Sequence, residues 1–474
     1  MRITNLIWVA MLFAPLSAFA QQQKENQFTI DAQIRTRGEY RNGVLNPRPE
    51  GASPTFFINE RARLSLGYQR DRLQMKLAAQ HVGVWGQDPQ IDKNGRFILH
   101  EAWARLDFSK GLFAQLGRQP LSYDDERLLG GLDWNVAGRF HDALKLGYES
   151  KMHKLHLILA FNQNNEDRSY GGTYYAPGGQ PYKTMQTVWY NGRWAKDFTA
   201  SLLFMNTGFE TGTEEKGKTA NMQTMGTYLV YTPGAWLLNG SVYYQSGKNK
   251  ADKKVSAYMF SLKAGYKIDP KWSVSLGTDY LSGDPDSKKV TTFDPLYGTH
   301  HKFYGGMDYF YASAYNKGLW DKILSVDFKP TQKIGFSLNY HHFSTTYDVT
   351  ATDGKEGRSL GSEFDLQVDY VLMKDVKLTA GYSTMLGTKY MDIAKGGSTE
   401  AEDVVQSQNL NTFFFSFLFH ILNQRSFNHL LIFVIRLIQH RTNQRFEIRY
   451  IVTQIRRVFY RNKVVRFAPI TRWS

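Results

Sequence analysis

The stretch FTIDAQIRTRGEYR, residues 28–41, alternates between two kinds of side chain. Its even-numbered positions up to residue 34 are phenylalanine, isoleucine, alanine and isoleucine, whereas its odd-numbered positions carry mainly charged or amide side chains. Because successive side chains of a β-strand point to opposite faces, this pattern predicts a strand with one apolar and one charged face. Such a strand fits a membrane barrel, but soluble sandwiches alternate as well, so the connections between strands decide the fold class.

The connections between the predicted strands alternate in length. About seventeen strands of this kind are traced between residues 28 and 386, and the connections after even-numbered strands are short, such as residues 233–234. Those after odd-numbered strands are mostly long and polar, such as residues 282–320. Outer-membrane barrels alternate in this way and have an even number of strands, and residues 411–420 supply an eighteenth. The sequence therefore predicts an all-β fold: a transmembrane antiparallel β-barrel of about 18 strands, with short periplasmic turns and long extracellular loops.

The composition excludes several classes of protein. The 474 residues include no cysteine, which excludes disulfides, thiolate metal sites and a cysteine nucleophile. A mean hydropathy of −0.44 argues against helical membrane spans, which need about 20 consecutive apolar residues. The net charge of +15 is uneven, because residues 411–474 hold ten arginines and one lysine against one glutamate. With most of the charge in this segment, nucleic acid is not expected as a partner.

The two ends of the chain differ from its body. Residues 1–20 have the features of a secretory signal peptide, with a positive start, an apolar stretch and the small-x-small sequence at residues 18–20. Residues 21–420 form the predicted outer-membrane barrel. Residues 421–474 fit no strand of the series and contain none of the 40 glycines. We interpret this anomalous basic tail as the product of a shifted reading frame; the alternative is a genuine basic extension that lies on a membrane surface.

Several short stretches carry a resemblance to a known family. They are EAWARL at residues 101–106, LGRQ at 116–119, YLSGD at 280–284, TFDPLY at 292–297 and HKFYG at 301–305. Through them, over about residues 28–410, the chain resembles the alginate export porins of the outer membrane. The resemblance implies an eighteen-stranded barrel in the cell outer membrane that exports an anionic polysaccharide through an arginine-lined pore. The partners implied are the lipid bilayer, the polysaccharide or small anionic solutes, and the barrel assembly machinery.

Strand parity places many charged side chains on the inner face of the predicted barrel. The predicted pore-lining, substrate-binding residues are Arg35, Arg37, Arg61, Arg63, Glu101, Arg105, Asp107, Glu363, Asp365 and Asp369. Arginine suits the passage of a polyuronate, because its planar fork pairs with carboxylates. Ion-paired networks that stiffen the wall are an equally good interpretation of these residues, and the sequence leaves both open.

Neither an enzyme nor a metalloprotein is predicted. Ser337 and His341 lie on one predicted strand, ~13 Å apart at the usual rise, so they do not form a catalytic dyad. Adjacent strand residues point to opposite faces, so the pairs His300-His301 and His341-His342 do not chelate a metal from one side, and no cofactor is expected. The predicted function is an outer-membrane channel of the alginate-export type for an anionic polysaccharide or related anionic solute. The alternative is a passive uptake porin for small solutes.

Overall fold

The computed structural model describes most of the chain between residues 26 and 423. The described residues are 26–49, 51–88, 97–164, 166, 174–176, 178–310, 318–351, 353–395 and 410–423. The predicted signal peptide at residues 1–20 and all of the basic tail beyond residue 423 lie outside the described residues.

The described residues form eighteen strands. The strands are β1 (Gln27–Asn42), β2 (Thr55–Arg70), β3 (Leu73–Val84), β4 (Phe97–Asp107), β5 (Leu112–Gln119), β6 (His141–Glu149), β7 (His153–Phe161), β8 (Thr184–Ala195), β9 (Phe198–Glu210), β10 (Thr219–Tyr231), β11 (Trp236–Lys248), β12 (Lys254–Lys267), β13 (Trp272–Leu281), β14 (Leu319–Phe328), β15 (Ile334–Thr350), β16 (Glu356–Met373), β17 (Val376–Gly387) and β18 (Leu410–Asn423). One short helix, α1 (Lys389–Ala394), and a 3-10 turn (His300–Lys302) complete the regular structure.

The sheet closes on itself. Each strand pairs with its neighbours in sequence, and β1 pairs with both β2 and β18 in antiparallel register. Closure leaves no unpaired sheet edge, which is what allows strands to cross a bilayer. The predicted fold class, an antiparallel β-barrel of eighteen strands, is therefore confirmed. The last strand runs from Leu410 to Asn423, three residues beyond the segment predicted for it.

The outer face of the barrel is apolar. On β7, for example, Leu155, Leu157 and Leu159 are exposed, whereas the alternating residues His156 and Ile158 are buried. Exposed leucines on every second position are expected where the surface contacts lipid rather than water. No described helix is long and apolar enough to span a membrane.

The two ends of the barrel differ in their connections. Short turns, such as residues 71–72 and 374–375, lie at one end, and the long loops lie at the other. In outer-membrane barrels the short turns are periplasmic and the long loops extracellular. The end at which β1 begins is therefore the periplasmic end.

Two of the long loops pack against side chains inside the barrel. We call residues 120–140, between β5 and β6, inner loop 1, and residues 282–310, which follow β13, inner loop 2. The loops are joined by a parallel bridge between Leu129 and Tyr297, with hydrogen bonds from Gly130 N and Tyr297 N of 2.9 and 3.0 Å. Both loops also contribute to the buried apolar cluster within the barrel. The inner loops thus determine how the lumen is filled.

Candidate functional site

Five arginines lie together on the inner face of β1 and β2. This arginine cluster consists of Arg35, Arg37, Arg41, Arg61 and Arg63. Arg35 and Arg61 are directly opposite one another in the strand register. Arg61 is 1% exposed, Arg37 5% and Arg35 9%, so these guanidinium groups take their partners mainly from the protein. Strand parity predicts that these residues share one face, and the structure places them together.

Inner loop 1 supplies a carboxylate to two arginines of the cluster. Arg61 Nη1 donates to Asp133 Oδ1 at 2.8 Å, and Arg35 Nη1 lies 3.5 Å from Asp133 Oδ2. Arg35 also donates to the backbone carbonyls of Asp133 and Asn135, at 2.5 and 3.0 Å. The Asp133 side chain is itself 72% exposed, so water screens these ion pairs. The loop is therefore attached to the cluster through contacts that are open to competition.

A stack of three side chains links the cluster to both inner loops. The Arg37 guanidinium lies 4.1 Å from the ring centroid of Trp134, in inner loop 1. Trp134 in turn stacks on His301 of inner loop 2, with 3.9 Å between ring centroids and 9° between planes. Arg37 also pairs with Glu39 at 2.6 Å, and Arg41 pairs with the second oxygen of the same carboxylate at 2.6 Å. The stack holds the two loops against the wall.

The cluster keeps an excess of positive charge. Arg63 Nε donates to the neutral amide of Gln80 at 2.8 Å, and among the described residues its Nη2 has no hydrogen-bond partner. Within the described part of the chain, Glu39 and Asp133 are the carboxylates that pair directly with the five guanidinium groups. Five positive and two negative groups give a net charge of +3. Charge of one sign concentrated between low-dielectric walls raises the local concentration of counter-ions, here anions.

Arg105 and Asp107 form a separate network at the periplasmic end of β4. Arg105 Nε pairs with Asp107 Oδ1 at 2.8 Å, and its Nη2 pairs with Glu149 at 3.2 Å. The guanidinium also lies 3.6 Å from the ring centroid of Phe113. In this network one arginine pairs with two carboxylates, and it does not join the arginine cluster.

Glu101 lies on the same face, two inward positions before Arg105 on β4. Its Oε1 accepts an ion pair from Lys76 Nζ at 2.8 Å, and its Oε2 accepts a hydrogen bond from Trp103 Nε1 at 2.9 Å. The carboxylate is buried and its two oxygens are both engaged. Glu101 therefore orients two neighbouring side chains.

The other three predicted acidic residues, Glu363, Asp365 and Asp369, lie on β16, three strands away from β1. Glu363 is fully buried, and it and Asp365 accept hydrogen bonds from the backbone N–H groups of residues 306–307, at 2.8 and 3.2 Å. They anchor inner loop 2 to the wall. Asp369 lies nearer the periplasmic end and pairs with Lys377 at 2.9 Å. Whether any of the ten predicted residues contacts a solute stays a prediction.

Inner loop 1 also carries buried charges that sequence reasoning missed. Arg127 pairs with Asp279 of β13 at 2.8 Å and with Asp125 at 2.7 Å. Burial opposes its charge, but these carboxylates raise the pKa of Arg127 above its ordinary value. Asp124 accepts hydrogen bonds from Trp189 Nε1 at 3.0 Å and Ser201 Oγ at 2.6 Å. Burial nevertheless raises the pKa of Asp124 to about 6.

The residues considered for catalysis have other partners. Ser337 Oγ donates to Asp327 at 2.6 Å, and His341 Nδ1 lies 2.8 Å from Asp321. Among the described residues, no group of three or more His, Asp or Glu side chains is arranged to hold a metal ion. The expectation that the protein is not an enzyme stays a prediction.

Comparison with known proteins gives one family and many similar folds. The family model described as alginate export matches residues 26–387 of the chain. No curated protein sequence matches the chain. The crystal structure of OccAB4 from Acinetobacter baumannii has a TM-score of 0.57 at 10% identity, covering 85% of this chain and 99% of that chain.

The outer membrane protein OpdK from Pseudomonas aeruginosa is similarly related. Its crystal structure has a TM-score of 0.56 at 10% identity, covering 84% of this chain and 99% of that chain. The structure of OpdK with vanillate has a TM-score of 0.54, with the same identity and coverage. At this level of identity the likeness concerns the fold.

Proposed function

The chain belongs to the alginate export family, and on that premise we propose that it passes an anionic polysaccharide, or a related anionic solute, through its lumen. The molecule is a β-barrel channel of the outer membrane. The observation that supports the passage of an anionic solute is the net positive charge of the arginine cluster. A polyuronate presents one carboxylate per sugar, and arginine pairs with carboxylates through two parallel hydrogen bonds.

Asp133 occupies the position that a solute carboxylate would take. It is a carboxylate held by Arg35 and Arg61, and its side chain remains largely exposed. An incoming uronate competes with it for the same two guanidinium groups. Because the Asp133 carboxylate is largely exposed, water screens its pairing with the two guanidinium groups and weakens its hold on them. Binding is then favourable enough for entry and weak enough for release.

The spacing of the cluster suits passage in steps. Arg35 and Arg37 occupy successive inward positions of β1, Arg41 follows beyond Glu39 on the same face, and Arg61 and Arg63 occupy successive inward positions of β2. Alternate residues of a strand are ~7 Å apart. A chain of carboxylates moves along such a row by exchanging one guanidinium partner at a time.

The test is current block by oligouronates in planar bilayers containing the purified full-length protein. The double variant Arg61→Gln with Arg63→Gln should assemble, because both side chains face the lumen, and should weaken the block by about tenfold, the effect of losing roughly 1.4 kcal/mol. Arg118→Gln is the matched control, because Arg118 pairs with Asp142 on the outer face of β5. Unchanged block in the assembled double variant would contradict the proposal.

A passive uptake porin for small solutes is the second candidate. Two observations favour it: the inner loops occupy the lumen, and the similar fold of OpdK was solved with vanillate. A polymer requires the inner loops to give way, whereas a small anion does not. If the duration of each current block increases steadily with the number of uronate units, the result would support polymer passage. Equal block by mono- and oligouronates would support the uptake porin.

A further inference from the structure

A cavity of about 770 Å³ opens at the periplasmic end of the lumen, below the arginine cluster. We propose that Trp103 and Lys76 form a binding subsite there for a single uronate sugar ring, with the ring on the indole face and its carboxylate on the ammonium group. The inference rests on the proposed function and names the position at which the solute meets the channel from the periplasm.

The two side chains are neighbours in the sheet. Trp103 of β4 and Lys76 of β3 are directly opposite one another in the strand register. Both lie on the inner face and line the cavity, together with Ser65, Gln69 and Gln74. Trp103 is half-buried, and the Lys76 side chain is 39% exposed. An apolar face beside a few polar groups in a concave site is the usual composition of a ligand pocket.

Glycines flank the pair in the sheet. The same row of the sheet continues from Lys76 to Gly67 on β2 and from Trp103 to Gly117 on β5. Gly117 has a φ of +121°, and an added Cβ would lie 2.2 Å from the carbonyl oxygen of Ala102. A side chain at this position is therefore excluded by the backbone itself. The indole thus has no side chain beside it on β5.

Glu101 fixes the orientation of both side chains. One oxygen of its buried carboxylate accepts a hydrogen bond from the indole N–H of Trp103 at 2.9 Å. The other oxygen pairs with the Lys76 ammonium group at 2.8 Å. The indole polar edge is therefore turned toward the wall. Lys76 has three N–H donors and uses one on Glu101, so two remain for a solute carboxylate. Glu101 is a positioning residue and not a ligand in this account.

Among the described residues, the other tryptophans inside the barrel are already covered by neighbouring side chains. Trp134 lies between Arg37 and His301, and Trp189 is buried against Tyr123 at 4.9 Å between ring centroids. Trp103 instead lines the open cavity. It is the tryptophan whose position suits a passing ring.

The subsite leads to the arginine cluster. Lys76 pairs in register with Gly67 of β2, and Arg63 lies four residues further along that strand. At the usual rise this separation is ~13 Å, with the hydroxyl of Ser65 between. A carboxylate that leaves Lys76 therefore has Arg63 as the next cation along this row of inward positions.

The proposal is tested by single-channel block with a uronate trisaccharide and with neutral maltotriose, each added from the periplasmic side of the full-length protein. Trp103→Leu should lower the association of both sugars about fivefold to tenfold, because it removes the aromatic face. Trp103→Phe keeps that face and should retain most of the block. Lys76→Met should weaken the block by the uronate and leave that by maltotriose unchanged.

Trp236→Leu is the matched control, because Trp236 lies exposed near the same end of the barrel but on its outer face. Heat-modifiable migration on gels verifies assembly of each variant. Block of the wild-type strength in assembled Trp103→Leu would overturn the subsite, and so would equal loss in Trp103→Leu and Trp236→Leu. None of these substitutions changes the arginine cluster. Anion selectivity that persists in Trp103→Leu therefore separates failure of the subsite from failure of the proposed function.

Discussion

Arg61 of β2 donates a hydrogen bond of 2.8 Å to Asp133, a residue 72 positions further along the chain. This contact joins the wall of the barrel to a loop that packs inside it. The guanidinium is almost fully buried, whereas the carboxylate is largely exposed to the lumen. The pair is therefore a fixed cation with an exchangeable internal anion, and it relates the architecture of the channel to its proposed selectivity.

Removing the internal anion should make the channel more selective for anions. Asp133→Asn cancels the carboxylate shared by Arg35 and Arg61 while preserving its size, which raises the net charge of the cluster from +3 to +4. We expect a shift of the reversal potential toward chloride and a stronger block by oligouronates. Asp353→Asn, at an exposed loop position paired with Lys389, is the control and should change neither property. A weaker block in Asp133→Asn would show that Asp133 assists the solute rather than competing with it.

Loss of the central stack should loosen the inner loops without opening the barrel. Trp134→Ala removes ring contacts with Arg37, His301 and Phe414, but leaves every strand pairing intact. We expect noisier single-channel currents and a free energy of unfolding lower by roughly 1–3 kcal/mol. Trp85→Ala removes a tryptophan from the outer face, so its conductance should equal that of the wild type. Identical current noise in the two variants would mean that Trp134 does not hold the loops.

The anchor of inner loop 2 should depend on an acceptor at position 363. Glu363→Gln keeps a carbonyl oxygen for Met307 N, whereas Glu363→Ala leaves that N–H group without an acceptor. A buried donor left unsatisfied costs about 1–3 kcal/mol, so the alanine variant should be the less stable of the two by that amount. Urea unfolding in lipid vesicles measures the difference. Equal stability of the two variants would exclude the anchoring role.

Inner loop 1 should give the protein a stability that decreases as the pH rises. Burial raises the pKa of Asp124 to about 6, from an ordinary value of 3.8. Between those values the folded state binds more protons than the unfolded state, so the contribution of Asp124 to stability is present below about pH 4 and is lost as the pH approaches 6. The change amounts to at most about 3 kcal/mol.

Asp124→Asn retains an acceptor for Trp189 and Ser201 and carries no charge at any pH. Relative to the wild type it should therefore be more stable at pH 7 by up to about 3 kcal/mol, with the advantage vanishing near pH 4. Unfolding experiments at several pH values measure the difference directly. A difference that does not change with pH would contradict the assigned burial of the charged carboxylate.

The barrel itself could be predicted from the sequence because its pattern is local. Residues 28–41 alternate, the structure has β1 at Gln27–Asn42, and the strand predicted at residues 411–420 closes the sheet as β18. The inner face follows from the same parity, which is why Arg35 and Arg61 were predicted to face the lumen. Each of these inferences needs only the period of two residues.

The partners of those arginines could not be predicted in the same way. Arg35 meets Asp133 across 98 positions, and no periodicity describes where a long loop folds. The length of the connection between β5 and β6, together with its Asp133-Trp134 pair, was the available signal for a loop that does more than join two strands. The sequence therefore predicts the charge on the wall, and the tertiary structure determines which charges are paired.

The central claim is that the arginine cluster makes this outer-membrane channel selective for anions. The most direct measurement is the reversal potential of the full-length protein in a planar bilayer under a potassium chloride gradient, compared with the Arg61→Gln, Arg63→Gln double variant. The account predicts that the wild type prefers chloride and that the assembled double variant shifts toward potassium. A wild-type channel that prefers potassium, or a double variant with an unchanged reversal potential, would contradict it.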